Sequence, residues 1–176
     1  MTAAVILRRG GAQDAPTLAQ FAARTFAETF AADNRPEDLQ AHLDKSYGFA
    51  QQSAELANPD VLTLLAQRDD ELVGFAQVRR SPPPPCVAER AAIELHRFYL
   101  DRRLQGTGLA AQLMQAARDA ARELGGRHLW LGVWERNPRA IAFYRKAGFT
   151  DVGSTFYMVG PDRQTDRVFV AEVPPP

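Results

Sequence analysis

Gln105-Gly106-Thr107-Gly108-Leu109-Ala110 follows the strand-like run Ala91 to Asp101 and opens the stretch Thr107 to Leu124, in which Leu109, Leu113, Ala116, Ala120 and Leu124 share one helical face. A strand that turns into a helix through glycines exposes backbone N–H groups that have no intrahelical acceptor, and the helix dipole adds partial positive charge at the same point. Phosphate suits such a junction. Gly106 and Gly108 lack a Cβ, so a diphosphate can approach the main chain, and the small Ala110 and Ala111 keep the first helical turn close to it. No Lys-Ser/Thr pair follows, as a P-loop needs, and no third glycine completes a dinucleotide fingerprint. On these residues alone, a glycine loop that only turns the chain is an equal alternative.

Outward from the junction, Val61 to Ala66 and Leu72 to Val78 flank the polar turn Arg68-Asp69-Asp70-Glu71 and predict an antiparallel hairpin. Pro82 to Pro85 cannot donate ladder hydrogen bonds; they end its second strand in an exposed loop. Val5 to Arg8 is a short β-like run. Asp14-Ala15-Pro16 offers a helix N-cap with proline in the first turn, and Leu18, Phe21, Ala22, Phe26 and Phe30 carry an amphipathic helix over Thr17 to Phe30. Asn34-Arg35-Pro36-Glu37 restarts the chain, and Leu39 and Leu43 support a helix over Asp38 to Tyr47. Downstream, Gly125-Gly126 ends the helix that follows the glycine loop. His128 to Trp134 reads as a strand, Asn137 or Pro138 opens a helix through Lys146, and Gly148 stops it. Val152 to Val159 and Arg167 to Val173 are two last strands around Gly160-Pro161-Asp162. This order predicts a single mixed α/β domain over residues 1–176.

The 176 residues, 45% hydrophobic, suffice for one sizeable core. Lysine plus arginine equals aspartate plus glutamate at 21 each, so no net field favours nucleic acid or an anionic membrane. Cys86 has no partner cysteine, which points to a reducing compartment, the cytoplasm by default. The apolar run in the opening MTAAVILRR is too short for a signal sequence, and no segment approaches the roughly 18 apolar residues of a membrane span. His42, His96, His128 and Cys86 show no metal-ligand spacing, so no metal is expected.

A second block lies about thirty residues beyond the loop: Asn137-Pro138-Arg139-Ala140-Ile141-Ala142-Phe143-Tyr144-Arg145-Lys146-Ala147-Gly148-Phe149. Together with Gln105-x-x-Gly108-x-Ala110 it resembles the GNAT acetyltransferase superfamily, with its Gln/Arg-x-x-Gly-x-Gly/Ala signature and its N-x-x-A-x-x-F-Y-x-x-x-G-F helix. The resemblance covers nearly the whole chain. The runs Thr25 to Phe30, Glu94 to Leu100 and Leu129 to Glu135 look most like the bacterial spermine/spermidine N-acetyltransferase branch. The resemblance implies the GNAT acyl-CoA N-acyltransferase fold, a mixed, mostly antiparallel sheet of about six to seven strands flanked by about four helices. It also implies acetyl-CoA as cosubstrate and a primary amine of a small molecule as acceptor, with polyamines first and amino acids, aminoglycosides or peptide amines behind. A homodimer is a further implication. A module that senses acyl-CoA without catalysis is the alternative reading.

Carried onto matching positions, the resemblance assigns the CoA pyrophosphate to Gln105, Gly106, Thr107, Gly108, Leu109 and Ala110, and the pantetheine arm to the main chain of Phe98, Tyr99 and Leu100. Asn137 would touch the pantetheine, although a helix N-cap explains it equally well. Tyr144 would sit near the sulfur and donate a proton to the departing thiolate. The acceptor, an alkylammonium with a pKa of about 10.4, must lose a proton before it attacks. Glu94 stands where some family members place a catalytic glutamate, and burial is expected to raise its pKa toward working pH. His96 shares the face of Glu94 by strand alternation and would be base or relay. Glu28 with Phe26 and Phe30 would form an acidic, aromatic pocket for the amine, and Arg102 and Arg103 would help to hold CoA phosphates. Glu94, Arg102 and Arg103 read equally as ordinary strand or surface charges, whereas the commoner reading of His96 is a histidine merely satisfied by hydrogen bonding and that of Glu28 a solvated glutamate beside core phenylalanines.

Overall fold

The computed structural model describes residues 4–176, so the first three residues of the opening run lie outside it. Seven strands form one sheet: β1 (Val5–Arg9), β2 (Val61–Arg68), β3 (Glu71–Arg79), β4 (Ala92–Leu100), β5 (His128–Trp134), β6 (Thr150–Val159) and β7 (Asp162–Glu172). Their spatial order is β1-β2-β3-β4-β5-β7-β6. Every neighbouring pair is antiparallel except β4 and β5. Helices α1 (Ala15–Phe30), α2 (Pro36–Tyr47) and α3 (Phe49–Ala57) precede β2, α4 (Leu109–Glu123) joins β4 to β5, and α5 (Pro138–Lys146) joins β5 to β6.

The sheet buries a different cluster on each side. Leu113, Ala117 and Ala121 of α4 pack with Val78, Ile93, Leu129 and Phe169, and Tyr144 and Phe149 extend this cluster around α5. On the other side, Leu18, Phe21 and Phe26 of α1 meet Leu65 and Phe75. The three-to-four spacing that announces α1 and α4 in the sequence is thus the stripe each helix presents to the sheet.

The parallel ladder of β4 and β5 is short. It contains only Ala92↔His128, Ile93↔Leu129 and Glu94↔Trp130, and the strands part beyond it. On its other side β4 pairs with β3 as far as Leu100, but the register shifts between Gln77 and Val78, which oppose Arg97 and Leu95 and leave His96 as the extra residue. A bulge adds local twist and bends its strand, which carries the far half of β4 away from β5.

Two elements differ from expectation. Helix α3 is not announced by apolar periodicity because its buried face is polar: Gln52 and Glu55 are buried while Phe49 is 59% exposed. Gln52 donates to the Ser46 carbonyl at 3.1 Å, and Glu55 pairs with Arg97 of β4. Strand β7 begins at Asp162 rather than at Arg167, because its polar first half pairs with Thr155 to Val159 of β6. Among the described residues, no helix is long and apolar enough to cross a membrane.

Leu113 is fully buried where α4 meets the sheet. Leu113→Ala should therefore lower unfolding free energy by about 2–5 kcal/mol, measured by urea denaturation.

Candidate active site

The gap between β4 and β5 is the floor of a cleft of about 580 Å³ that reaches from the glycine loop to the first half of β7. At the loop end, Gly106 and Gly108 take φ of 80° and 85°, a left-handed conformation that side chains disfavour. A Cβ built on either would meet nothing within 4 Å, so the ground above the loop is open. The first bond of α4 runs from Gln112 N–H to the Gly108 carbonyl at 3.3 Å, which leaves the N–H groups of Leu109, Ala110 and Ala111 without helical acceptors. The loop therefore fits a diphosphate.

The expected loop residues contribute unequally. Gln105, Gly106 and Ala110 line the cleft. The Thr107 hydroxyl donates to the Leu104 carbonyl at 2.6 Å and the Leu109 side chain is buried, and Thr107, Gly108 and Leu109 stand outside the cleft lining. Arg102 lines the cleft while donating to the Glu28 carbonyl at 2.5 Å. Arg103 is tied to Asp101 at 2.8 Å and Glu71 at 2.6 Å, which removes it as a free phosphate cation.

Along the middle of the cleft, β4 from Leu95 onward and β5 from Leu131 onward have no ladder partner in each other. Phe98 stacks on Phe143 of α5 with ring centroids 5.5 Å apart and meets the edge of Tyr144 at 6.4 Å. Tyr99 points the other way, stacked on Phe75 at 5.6 Å. Asn137 caps α5, its Oδ1 accepting from Ala140 N–H at 3.2 Å, and also lines the cleft. Tyr144 is buried in the cleft wall, and desolvation raises its pKa, keeping the phenol protonated at working pH.

Glu94 departs from expectation. Its burial does push the pKa up, but hydrogen bonds with His96 and Arg79 outweigh this and bring it down to about 2. Arg79 Nε lies 2.5 Å from its carboxylate, and His96 Nδ1 lies 3.4 Å from it. A carboxylate held this firmly in its charged form is a poor proton acceptor at neutral pH. It also lies outside the cleft lining, whereas His96, on the same strand face as expected, lies within it. Burial, foremost, lowers the pKa of His96, so the ring is neutral at working pH.

Glu28 is the second correction. Its side chain is exposed, pairs with Arg24 at 3.1 Å and does not line the cleft. Phe26 and Phe30 do line it, and Phe30 meets Trp134 edge-on at 5.6 Å. The acid in the lining is instead Asp166 of β7, 7% exposed, accompanied by Tyr47, Tyr157 and Gln164. Asp166 escapes the sequence reading because the strand expected over Arg167 to Val173 begins one residue after it. The signal was present: Asp166 is in phase with Val168 and Val170, both buried.

The sequence pattern described as Acetyltransferase (GNAT) family matches residues 23–149. An uncharacterised N-acetyltransferase from the pepI 3′ region of Lactobacillus delbrueckii subsp. lactis is 33% identical over 154 residues, 88% of this chain and 89% of that one. The spermine/spermidine N(1)-acetyltransferase of Bacillus subtilis is 32% identical over 82 residues, 46% of this chain and 54% of that one. The PaiA N-acetyltransferase of Thermoplasma acidophilum, crystallised with coenzyme A, superposes with a TM-score of 0.77 at 21% identity, covering 96% of this chain and 99% of that one.

Glu94 contributes a pH-dependent share of stability. Its folded pKa lies below the ordinary 4.5, so the contribution is present above about pH 4.5 and is lost as pH falls toward 2. Glu94→Gln should cost about 1–3 kcal/mol at pH 7 in chemical denaturation, with the difference from the parent chain closing below pH 4.

Proposed function

Because the chain belongs to the acetyltransferase (GNAT) family, we propose that it transfers the acetyl group of acetyl-CoA to a primary amine of a small molecule, with a polyamine as the first candidate. One observation carries the reading: β4 and β5 face each other with unpaired edges, and β4 leads through a short turn into the glycine-opened N-terminus of α4, so a long, thin ligand with a diphosphate tail has both a backbone track and an anion seat. In this reading the diphosphate rests on the main chain of Gln105 to Ala110, Gly106 and Gly108 above all. The pantetheine amides pair with main chain at Phe98, Tyr99 and Leu100, and Asn137 steadies them from the start of α5. Acetyl-CoA supplies an activated acyl thioester.

Tyr144 serves in this scheme as the proton donor at the sulfur. Its raised pKa suits a phenol that stays neutral until a thiolate develops beside it. His96, with Glu94 and Arg79 behind it, is positioned by a charge cluster and borders the acceptor side of the cleft. Glu94 then acts as an orienting group for the ring. The aromatic wall of Phe30, Tyr47, Trp134 and Tyr157 favours a cationic acceptor, because ring faces attract ammonium groups. The partial likeness to the Bacillus subtilis enzyme supports polyamines as the first class to try.

The test is thiol release from acetyl-CoA, with mass detection of the product, across spermidine, lysine, kanamycin and a peptide N-terminus. Acetylation of at least one amine is expected, with spermidine leading; tight acetyl-CoA binding with no thiol release on any of them would replace the enzyme by an acyl-CoA sensor. Tyr144→Phe should lower kcat by about 10–100-fold while acetyl-CoA affinity, followed by calorimetry, changes by less than about 2-fold.

A further inference from the structure

Among the described residues four acids are buried: Glu55, Glu94, Asp101 and Asp166. Three carry an arginine. Glu55 pairs with Arg97, Glu94 with Arg79 at 2.5 Å, and Asp101 with Arg103 at 2.8 Å. Asp166 has no such partner among the described residues. Its surroundings only disfavour its charge, through burial first and the neighbouring Glu135 second. A buried carboxylate without a counter-charge is costly, and the cost is relieved when a cation arrives from outside.

The position of Asp166 lets that cation come from the cleft. It lies opposite Trp134 of β5 and Thr155 of β6. Its carboxylate reaches over Gly132, where a methyl group would stand 3.0 Å from Asp166 Oδ2. Gly132, Trp134, Asp166 and Tyr144 line one cavity. The titratable groups around it leave its charge uncompensated. Glu135 at the end of β5 is of like sign, Tyr157 of β6 is neutral with its pKa raised by burial, and His42 of α2 is occupied by the Tyr157 hydroxyl at 2.9 Å. On β7 itself, Arg167 turns to Asp151 at 2.7 Å. Across the cleft, Arg97 is neutralised by Glu55. Arg139 of α5 also lines the cavity and pairs with no acid among the described residues, but burial and Glu135 alone set the charge of Asp166.

We propose that Asp166 receives the acceptor amine, its carboxylate binding the ammonium group and removing the proton that frees the nitrogen lone pair. This rests on the N-acetyltransferase reading above. The ammonium gives one proton to the Asp166 carboxylate. The freed lone pair forms the N–C bond at the thioester carbonyl, and the C–S bond breaks with its electron pair on sulfur. The Tyr144 hydroxyl gives that sulfur a proton and regains one from the nitrogen. Asp166 then releases its proton to solvent, so each turnover yields an amide, a thiol and one proton. An acid with a pKa raised to about 7 is well matched to this exchange at neutral pH, whereas Glu94, at about 2, is not.

The experiment compares the parent chain with Asp166→Asn, using the four-amine panel and acetyl-CoA calorimetry. The expected result is a fall in kcat/KM for the amine of about 100-fold or more, loss of the limb of the pH–rate profile near pH 7, and acetyl-CoA affinity within about 2-fold. Folding is checked independently by thermal unfolding without substrate. The folded pKa of Asp166 is raised above its ordinary 3.8, so the parent chain loses stability as pH rises from about 4 to about 7, and the Asn variant does not. Asp166→Asn should therefore melt higher than the parent at pH 8 and level with it near pH 4. Glu135→Gln, which removes the like charge, should move the limb to lower pH.

Unchanged kcat/KM and an unchanged limb in Asp166→Asn would overturn the assignment while leaving the acetyltransferase reading intact. Persistence of the limb in Asp166→Asn together with its loss in His96→Gln would assign the proton to His96 instead. If the parent chain acetylates none of the four amines, the enzymatic reading falls, and Asp166 falls with it.

Discussion

The parallel ladder between β4 and β5 ends at Glu94 and Trp130, and the bulge at His96 carries β4 away from β5 beyond that point. A parallel pair that continued to Leu100 and Trp134 would satisfy both backbones and close the sheet. Its early end leaves two strand edges facing each other across a gap whose depth is set by Phe98, Phe143 and Tyr144. The same strand delivers the chain to the glycine loop, so the open strand edge and the glycine-opened helix N-terminus are parts of one β-strand-to-helix junction. The cleft follows from where one ladder stops.

Buried charges tie the bulged strand to the helices beside that opening. Arg97, three residues beyond the end of the ladder and next to the bulge, reaches Glu55 of α3, donates to Gln77 at 2.6 Å and to the Ser46 carbonyl at 2.9 Å, and lies 4.7 Å over the Tyr47 ring. It thereby binds α2 and α3 to the bulged strand through polar contacts. Such a network is expensive to desolvate, and its value lies in fixing one geometry more than in net stability. Asp166 stands apart from it: the protein has neutralised its other buried acids and kept this one open to the cleft.

Much of the fold was legible because its signals are local. The N-cap at Asn137, the stop at Gly148 and the apolar stripe of α4 depend on residues within a few turns, and the observed elements coincide with them. Helix α3 was hidden because its inward residues, Gln52 and Glu55, are polar and make sense only beside Ser46 and Arg97. The start of β7 was hidden for a related reason, its first half being polar and stabilised by β6.

The sequence by itself determined the family, the glycine loop with its helix, and the cap and tyrosine of α5, since each is written in contiguous residues whose chemistry acts at short range. Tertiary structure decided the electrostatics of the cleft. Whether burial raises or lowers a carboxylate depends on which cations fold against it: Arg79 and His96 hold Glu94 charged, Arg24 draws Glu28 to the surface, and Asp166 is left to the cleft. Those partners lie on other elements, and no pattern along one strand reveals them.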